Sequence, residues 1–364
     1  MLTEKFSLWL TRTVPNFGIN SICELPIALG SDIGLAREEN QDKVAVMRIN
    51  AHSSTSSHFV VALADGMGGM RDGSECAART LGAFFNALIR YRQKPPEDRL
   101  LLAANAANEV VYQYSHANGG ATLSAVLFAA DNRVFTLNVG DSRIFATMEN
   151  SREEGIRRLT VDDSLEEAVG GHGRDLLQFI GMGEGLIPHI STAPEGIEKI
   201  VITSDGVHFV SQALLSDILI NASSQNETVE QLLTVAKWRG GPDNASVAAV
   251  LTQGLLKPST LSQGSGIEIW DPFGTLQIMW NRQEFPDAKE PVVMLGDNSE
   301  PLESPLDIPD SHPIQSRRAT NKKPRNTKKG KAKKKSKQPS LDQGPQIEIV
   351  IGPVIDSPTK EDES

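Results

Sequence analysis

Five aspartates stand at the ends of apolar runs. Asp65 closes FVVALA and is followed by Gly66, Met67, Gly68 and Gly69, and Asp141 follows FTLNV and Gly140. Asp205 follows IVITS and precedes Gly206, Asp243 lies in GGPDNASVAAV, and Asp42 lies in REENQDKVAV. A carboxylate at a strand end is held by a stiff backbone while its head reaches past the sheet. Several brought together make a hard, all-oxygen site, which suits Mg2+ or Mn2+ better than zinc with its preference for His and Cys. Without cations such a cluster repels itself and its pKa values rise. Arg37, five residues before Asp42, adds a guanidinium able to grip two phosphate oxygens. The plainer readings are that Asp-Gly is an ordinary turn dipeptide, as Gly-Asp is at Gly296-Asp297, and that Arg37 pairs with Glu38 or Glu39 at the surface. Five aspartates in one region, each beside an apolar strand, favour the site.

Those residues need a frame, and residues 25–256 supply one. Short apolar runs predict strands at Leu25–Gly30, Val44–Ile49, Phe59–Ala64, Leu123–Ala130, Val134–Val139, Arg143–Thr147, Ile197–Thr203 and Ala245–Leu251. Helical spacing predicts helices over Ser74–Arg90, Leu100–His116, Ser211–Ile220 and Val229–Arg239. Many strands around a few long helices imply packed sheets flanked by helices. With 39% hydrophobic residues in 364, the chain can bury a sizeable core. Two cysteines, Cys23 and Cys76, exclude a disulfide scaffold and a Cys-rich zinc module. No apolar run is long enough to cross a membrane as a helix, and residues 1–24 read as an N-terminal extension rather than a signal peptide, so a cytoplasmic location is expected.

Beyond Leu256 the texture changes. Residues 257–364 read as a largely disordered, low-complexity tail, interrupted by the apolar island GIEIWDPFGTLQIMW at Gly266–Trp280. Residues 317–337 carry 12 basic side chains and no acidic one, leaving 24 basic against 46 acidic elsewhere, a net −22. That block is a solvated spacer or an electrostatic tether to nucleic acid, an anionic membrane or an acidic partner. A weak repeat also runs through the tail: LSQGSGIEI at Leu261–Ile269 and LDQGPQIEI at Leu341–Ile349 agree at six of nine positions. It is either chance similarity of two β-prone patches or a pair of docking motifs that add a strand to a partner's sheet.

Taken in order, REENQD (Arg37–Asp42), DGMGG (Asp65–Gly69), GAT (Gly120–Thr122), NVGDSR (Asn138–Arg143), LTVDDS (Leu159–Ser164), TSDG (Thr203–Gly206) and GGPDN (Gly240–Asn244) form a spaced set. The set resembles the metal-dependent Ser/Thr protein phosphatases of type 2C, over about three-fifths of the chain, and Met67 is similar to the bacterial branch. The resemblance implies an α+β fold with two antiparallel β-sheets packed as a sandwich between helix pairs. It implies that Asp65 bridges two Mn2+ or Mg2+ ions, with Asp205, Asp243 and the carbonyl of Gly66 as further ligands. Asp141 with Asp205 would hold a third, weaker ion, Asp42 would orient the attacking water, and Arg37 would bind the substrate phosphate.

Hydrolysis of phospho-Ser and phospho-Thr in proteins, opposed by a Ser/Thr kinase, is the activity the resemblance implies, in a catalytic domain expected to be monomeric. The alternative is a weakly active phosphatase-like scaffold that works through its docking tail. Departures from the family pattern bear on both. Met67 stands where some members carry a His able to donate a proton, and Asp163 stands where His is usual. The stretch Leu165–Met182 is short for the flap found there. Asn244 is expected to shape the turn beside Asp243. His172, His189 and His208 are expected to be surface or satisfied core residues, Cys76 a packing residue, and Lys43 and Arg143 solvated or paired.

Overall fold

The computed structural model describes residues 2–50, 58–67, 72–129, 131–148, 155–170, 175–253, 255 and 266–279, together with the backbone of 348–353. The basic block 317–337, Gly68, Gly69, His172 and Trp280 lie outside the described residues.

Helix α1 (Leu2–Leu10) leads into β1 (Phe17–Ile22), β2 (Ile27–Asp32), β3 (Asp42–Asn50) and β4 (His58–Asp65). Two long helices follow, α2 (Gly73–Arg90) and α3 (Pro96–Ser115), then β5 (Leu123–Phe128), β6 (Val134–Val139), β7 (Arg143–Met148) and β8 (Arg157–Arg158). The chain continues through α4 (Leu165–Val169), β9 (His189–Thr192), β10 (Ile197–Thr203), α5 (Asp205–His208), α6 (Gln212–Asn221), α7 (Gln225–Trp238) and β11 (Ala245–Leu251). A hairpin of β12 (Gly266–Asp271) and β13 (Gly274–Met279), and a last strand β14 (Glu348–Pro353), complete it.

The strands form two antiparallel sheets, one ordered β1-β2-β11-β10-β7-β8 and the other β14-β13-β12-β3-β4-β5-β6-β9. Their apolar runs are continuous because both faces are covered. In β4, Phe59, Val61 and Leu63 face the other sheet, while Val60, Ala62 and Ala64 face α2 and α3. In β11, Ala248 and Val250 face the sandwich interior, and Val247 and Ala249 face α6 and α7. Ser211 and Ser224 start those two helices, each hydroxyl accepting the backbone N–H three residues on, at Leu214 and Glu227. This is the two-sheet sandwich between helices that the resemblance implies. Among the described residues no helix is long and apolar enough to cross a membrane.

The core reaches past 25–256 at both ends. Phe6, Trp9 and Leu10 of α1 are buried against α2, on the i, i+3, i+4 face of a short helix. Ile267, Ile269, Leu276 and Ile278 of the β12–β13 hairpin join the same core, and Trp270 joins the interior of the sandwich. The first Ile-Glu-Ile copy is therefore an inner strand: β12 is hydrogen-bonded on one side to β3 and on the other to β13, leaving no edge for a partner. The second copy runs into β14, which pairs with β13, Ile349 opposite Ile278. The first copy, and Glu348 and Ile349 of the second, thus extend the chain's own sheet.

Candidate active site

Each aspartate is placed by a strand end or the turn that follows it. Asp42 opens β3 and Asp65 closes β4, and the two face each other in register. Asp205 starts α5 directly after β10, Asp243 lies in the turn before β11, and Asp141 lies in the turn between β6 and β7. The backbone N–H of Asp65 donates to Thr122 Oγ1 at 2.9 Å, and that hydroxyl meets Ser142 Oγ at 2.8 Å. Thr122, the last residue of the GAT motif, thus ties the Asp65 strand to the Asp141 turn. Gly66 sits where chains crowd: a Cβ there would lie 2.3 Å from the carbonyl oxygen of Gly73.

The electrostatics bring all five aspartates into one field. Burial first, then the charges of Asp42, Asp205, Asp141 and Asp243, holds the Asp65 carboxyl well above the usual carboxylate range. Burial and then Asp205 push Asp141 up to about 7, with Arg143 pulling the other way. Asp42 is pushed up to about 6, chiefly by burial and further by Asp205. The hydroxyls of Ser204 and Ser246 approach and temper that rise, yet among the described residues neither buried Asp42 carboxylate oxygen closes a hydrogen bond. Arg37 is the cation that answers this charge: its Nη2 donates to Asp243 Oδ2 at 2.7 Å, and Asp205 and Asp65 also favour its charged form. Among the described residues no three His, Cys, Asp or Glu side chains close around a single point. Asp243 is turned towards the Arg37 guanidinium. Hard oxygen donors, excess negative charge and unpartnered buried carboxylate oxygens fit a divalent cation.

The surroundings are more built than their sequence reveals. Asn244 accepts the Gln41 N–H at 2.9 Å and donates to the carbonyls of Ile33 and Glu39, so it stitches the loop carrying Arg37 to the start of β11. Lys43 Nζ donates to the carbonyls of Asn40 and Asp42. Arg143 grips buried Asp162 with two nitrogens, at 3.0 and 2.7 Å, and Arg158 joins the same carboxylate. His208 is a core residue, its Nδ1 3.0 Å from Thr203 Oγ1 and its charged form disfavoured by burial. Burial pushes the Cys76 thiol up to about 11, so it is no nucleophile at neutral pH. Beside Asp42 and Lys43 a cavity of about 240 Å³ is walled by Arg12, Asn16 and Phe273, so the terminal segments border the site.

Comparisons with known proteins point to one family. The family described as protein phosphatase 2C matches residues 36–239. The protein phosphatase PhpP of Streptococcus pneumoniae is 30% identical over 247 residues, covering 62% of this chain and 97% of that protein. The serine/threonine phosphatase stp of Listeria welshimeri is 28% identical over 243 residues, covering 60% of this chain and 93% of that protein. Among solved structures, the serine/threonine phosphatase of S. agalactiae superposes with a TM-score of 0.51 at 26% identity, covering 62% of this chain and 98% of that one. The spaced motifs, the paired sheets and the shared acidic field have one common explanation, and the chain belongs to the protein phosphatase 2C family, in its bacterial form.

Proposed function

We propose that this protein is a metal-dependent phosphatase that removes phosphate from serine and threonine side chains of other proteins. Asp65, Asp205, Asp243 and the carbonyl of Gly66 would hold two Mn2+ or Mg2+ ions, with Asp141 and Asp205 offering a third, weaker position. Such ions, when bound, activate a water and offset charge on the attacking and leaving oxygens. The protein's own groups do the rest. Asp42, with both oxygens buried and unpartnered, accepts a hydrogen bond from the attacking water and fixes its direction. Arg37 is partly exposed and among the described residues pairs with Asp243; with Asp243 serving as a cation ligand, the guanidinium would be free to take two phosphate oxygens. Met67 has no proton to give, so the departing alkoxide takes its proton from water. A cytoplasmic, monomeric enzyme opposed by a Ser/Thr kinase is the setting this reading proposes.

The observation that carries the reading is an excess of acid: Asp65 feels the charge of four other aspartates, and among the described residues Arg37 pairs with one of them while Arg143 only tempers Asp141. The test is hydrolysis of a phosphothreonine peptide and of p-nitrophenyl phosphate in Mn2+. Asp65→Ala and Asp205→Ala are each expected to reduce turnover to background. Robust turnover in excess EDTA, or in either variant, refutes it.

A further inference from the structure

Hydrogen-bonded to the turn that carries Asp141 is a further acidic residue, Asp163, whose carboxylate is ringed by donors. Its Oδ2 accepts the N–H of Gly140 at 3.0 Å, and its own N–H donates to the Gly140 carbonyl at 3.0 Å. Gly140 is therefore gripped at both backbone groups, one residue before Asp141. It cannot be re-formed by another residue: its φ is +98°, and a Cβ would lie 2.7 Å from Thr122 Cγ2. The Asn138 side-chain amide adds a donor to the same carbonyl at 3.1 Å. The other carboxylate oxygen of Asp163 accepts from His189 Nε2 at 2.7 Å and from Gln178 Nε2 at 2.9 Å. His189 comes from the edge strand β9, directly opposite Asn138 of β6.

We propose that Asp163 and His189 are positioning residues: together they brace the turn at Gly140 and so set the cation affinity of the position Asp141 shares with Asp205. A buried carboxylate is costly unless donors or a counter-charge surround it. Asp163 is buried, and His189, half in solvent, is its nearest side-chain donor. The imidazole keeps Asp163 in place, Asp163 keeps Gly140 in place, and Gly140 fixes where the Asp141 carboxylate points. The residue found where the family usually has His is here an acid, and a histidine from another strand completes the pair.

The inference rests on the cation reading of the site, and the test separates the two. Mn2+ is titrated into the full chain by calorimetry, with electron paramagnetic resonance counting bound ions. The wild-type chain is expected to show two tight steps and one weak step. Asp163→Asn and His189→Ala are expected to weaken the last step about tenfold and leave the tight steps unchanged. His189→Gln keeps a donor and is expected to restore the last step. In phosphopeptide turnover, kcat is expected to fall in the first two variants while KM holds. A wild-type chain that binds no Mn2+ refutes the cation reading itself. A normal wild-type isotherm, with the last step unmoved in folded Asp163→Asn and His189→Ala, overturns this inference alone. It is also overturned if all steps weaken together with a fall in Tm, which marks general loss of structure.

Discussion

Two sets of buried or half-buried carboxylates in this molecule are handled in opposite ways. Where the terminal segments join the body, each acid has its arginine. Arg12 holds Asp271 with two hydrogen bonds, at 2.7 and 2.9 Å, while its guanidinium lies 4.1 Å from the Trp9 ring centre. Arg48 holds Glu268 across the β3–β12 pair and Glu24 from the neighbouring loop, and lies over Trp270. In the cleft burial and neighbouring aspartates hold Asp42, Asp65 and Asp141 above the usual carboxylate range, Asp205 acting on all three, and among the described residues Arg37 hydrogen-bonds to Asp243. The balanced set is a seam that holds α1 and the β12–β13 hairpin to the body. The unbalanced set leaves an excess of acid that a bound cation would offset.

The largest difference is expected in stability. Cutting the chain after Leu256 removes Ile267, Ile269, Trp270, Leu276 and Ile278 from the core, and the product is expected not to fold, as read by circular dichroism. Arg48→Ala removes the buried guanidinium that pairs with the largely shielded Glu268, and is expected to cost about 3–5 kcal/mol in urea unfolding. Asp65→Asn is expected to do the reverse in EDTA, raising stability by removing a repelling charge. A destabilised Asp65→Asn in EDTA breaks the contrast between the two sets.

Next in size is the effect of pH on the cation-free protein. Asp42 and Asp141 have folded pKa values of about 6 and about 7 against the ordinary 3.8, so the folded chain holds their protons more tightly than the unfolded one. The fold is then favoured at low pH, and that contribution is lost as pH rises from about 4 to about 7. For Asp42 the loss is about 3 kcal/mol, taking about 1.4 kcal/mol per pKa unit. Urea midpoints measured in EDTA are expected to fall across that window, and saturating Mn2+ is expected to abolish the fall. A flat profile in EDTA shows that the cleft charges are already compensated.

The cleft was more legible in the sequence than the seam, for a physical reason. Asp65, Asp205 and Asp243 announce themselves because each stands beside a long apolar run, and period-two strands covered on both faces leave just such runs. The seam offers no such mark. Arg12 and Asp271 are 259 residues apart, and nothing local to either predicts the other. Helix α1 escaped notice because nine residues hold only two turns of amphipathic spacing, although Phe6, Trp9 and Leu10 carry the signal. Asp163 shows the same limit inside the site. Its role comes from Gly140, Gln178 and His189, which reach it from three other segments.

The smallest expected stability change, and the finest probe of the cleft, is Arg37→Ala. The guanidinium is 40% exposed, so its pair with Asp243 is screened by water and contributes little to folding. Removing it is expected to move the urea midpoint by no more than about 0.5 kcal/mol. Its absence leaves the phosphate without a bidentate donor, so KM for a phosphothreonine peptide is expected to rise about tenfold or more, with kcat changed less. Arg37→Lys keeps the charge but not the fork, and is expected to recover only part of the loss. If Arg37→Ala instead destabilises the fold by several kcal/mol and leaves KM alone, the Arg37–Asp243 pair belongs with the seam arginines, and the cleft has no phosphate anchor at this position.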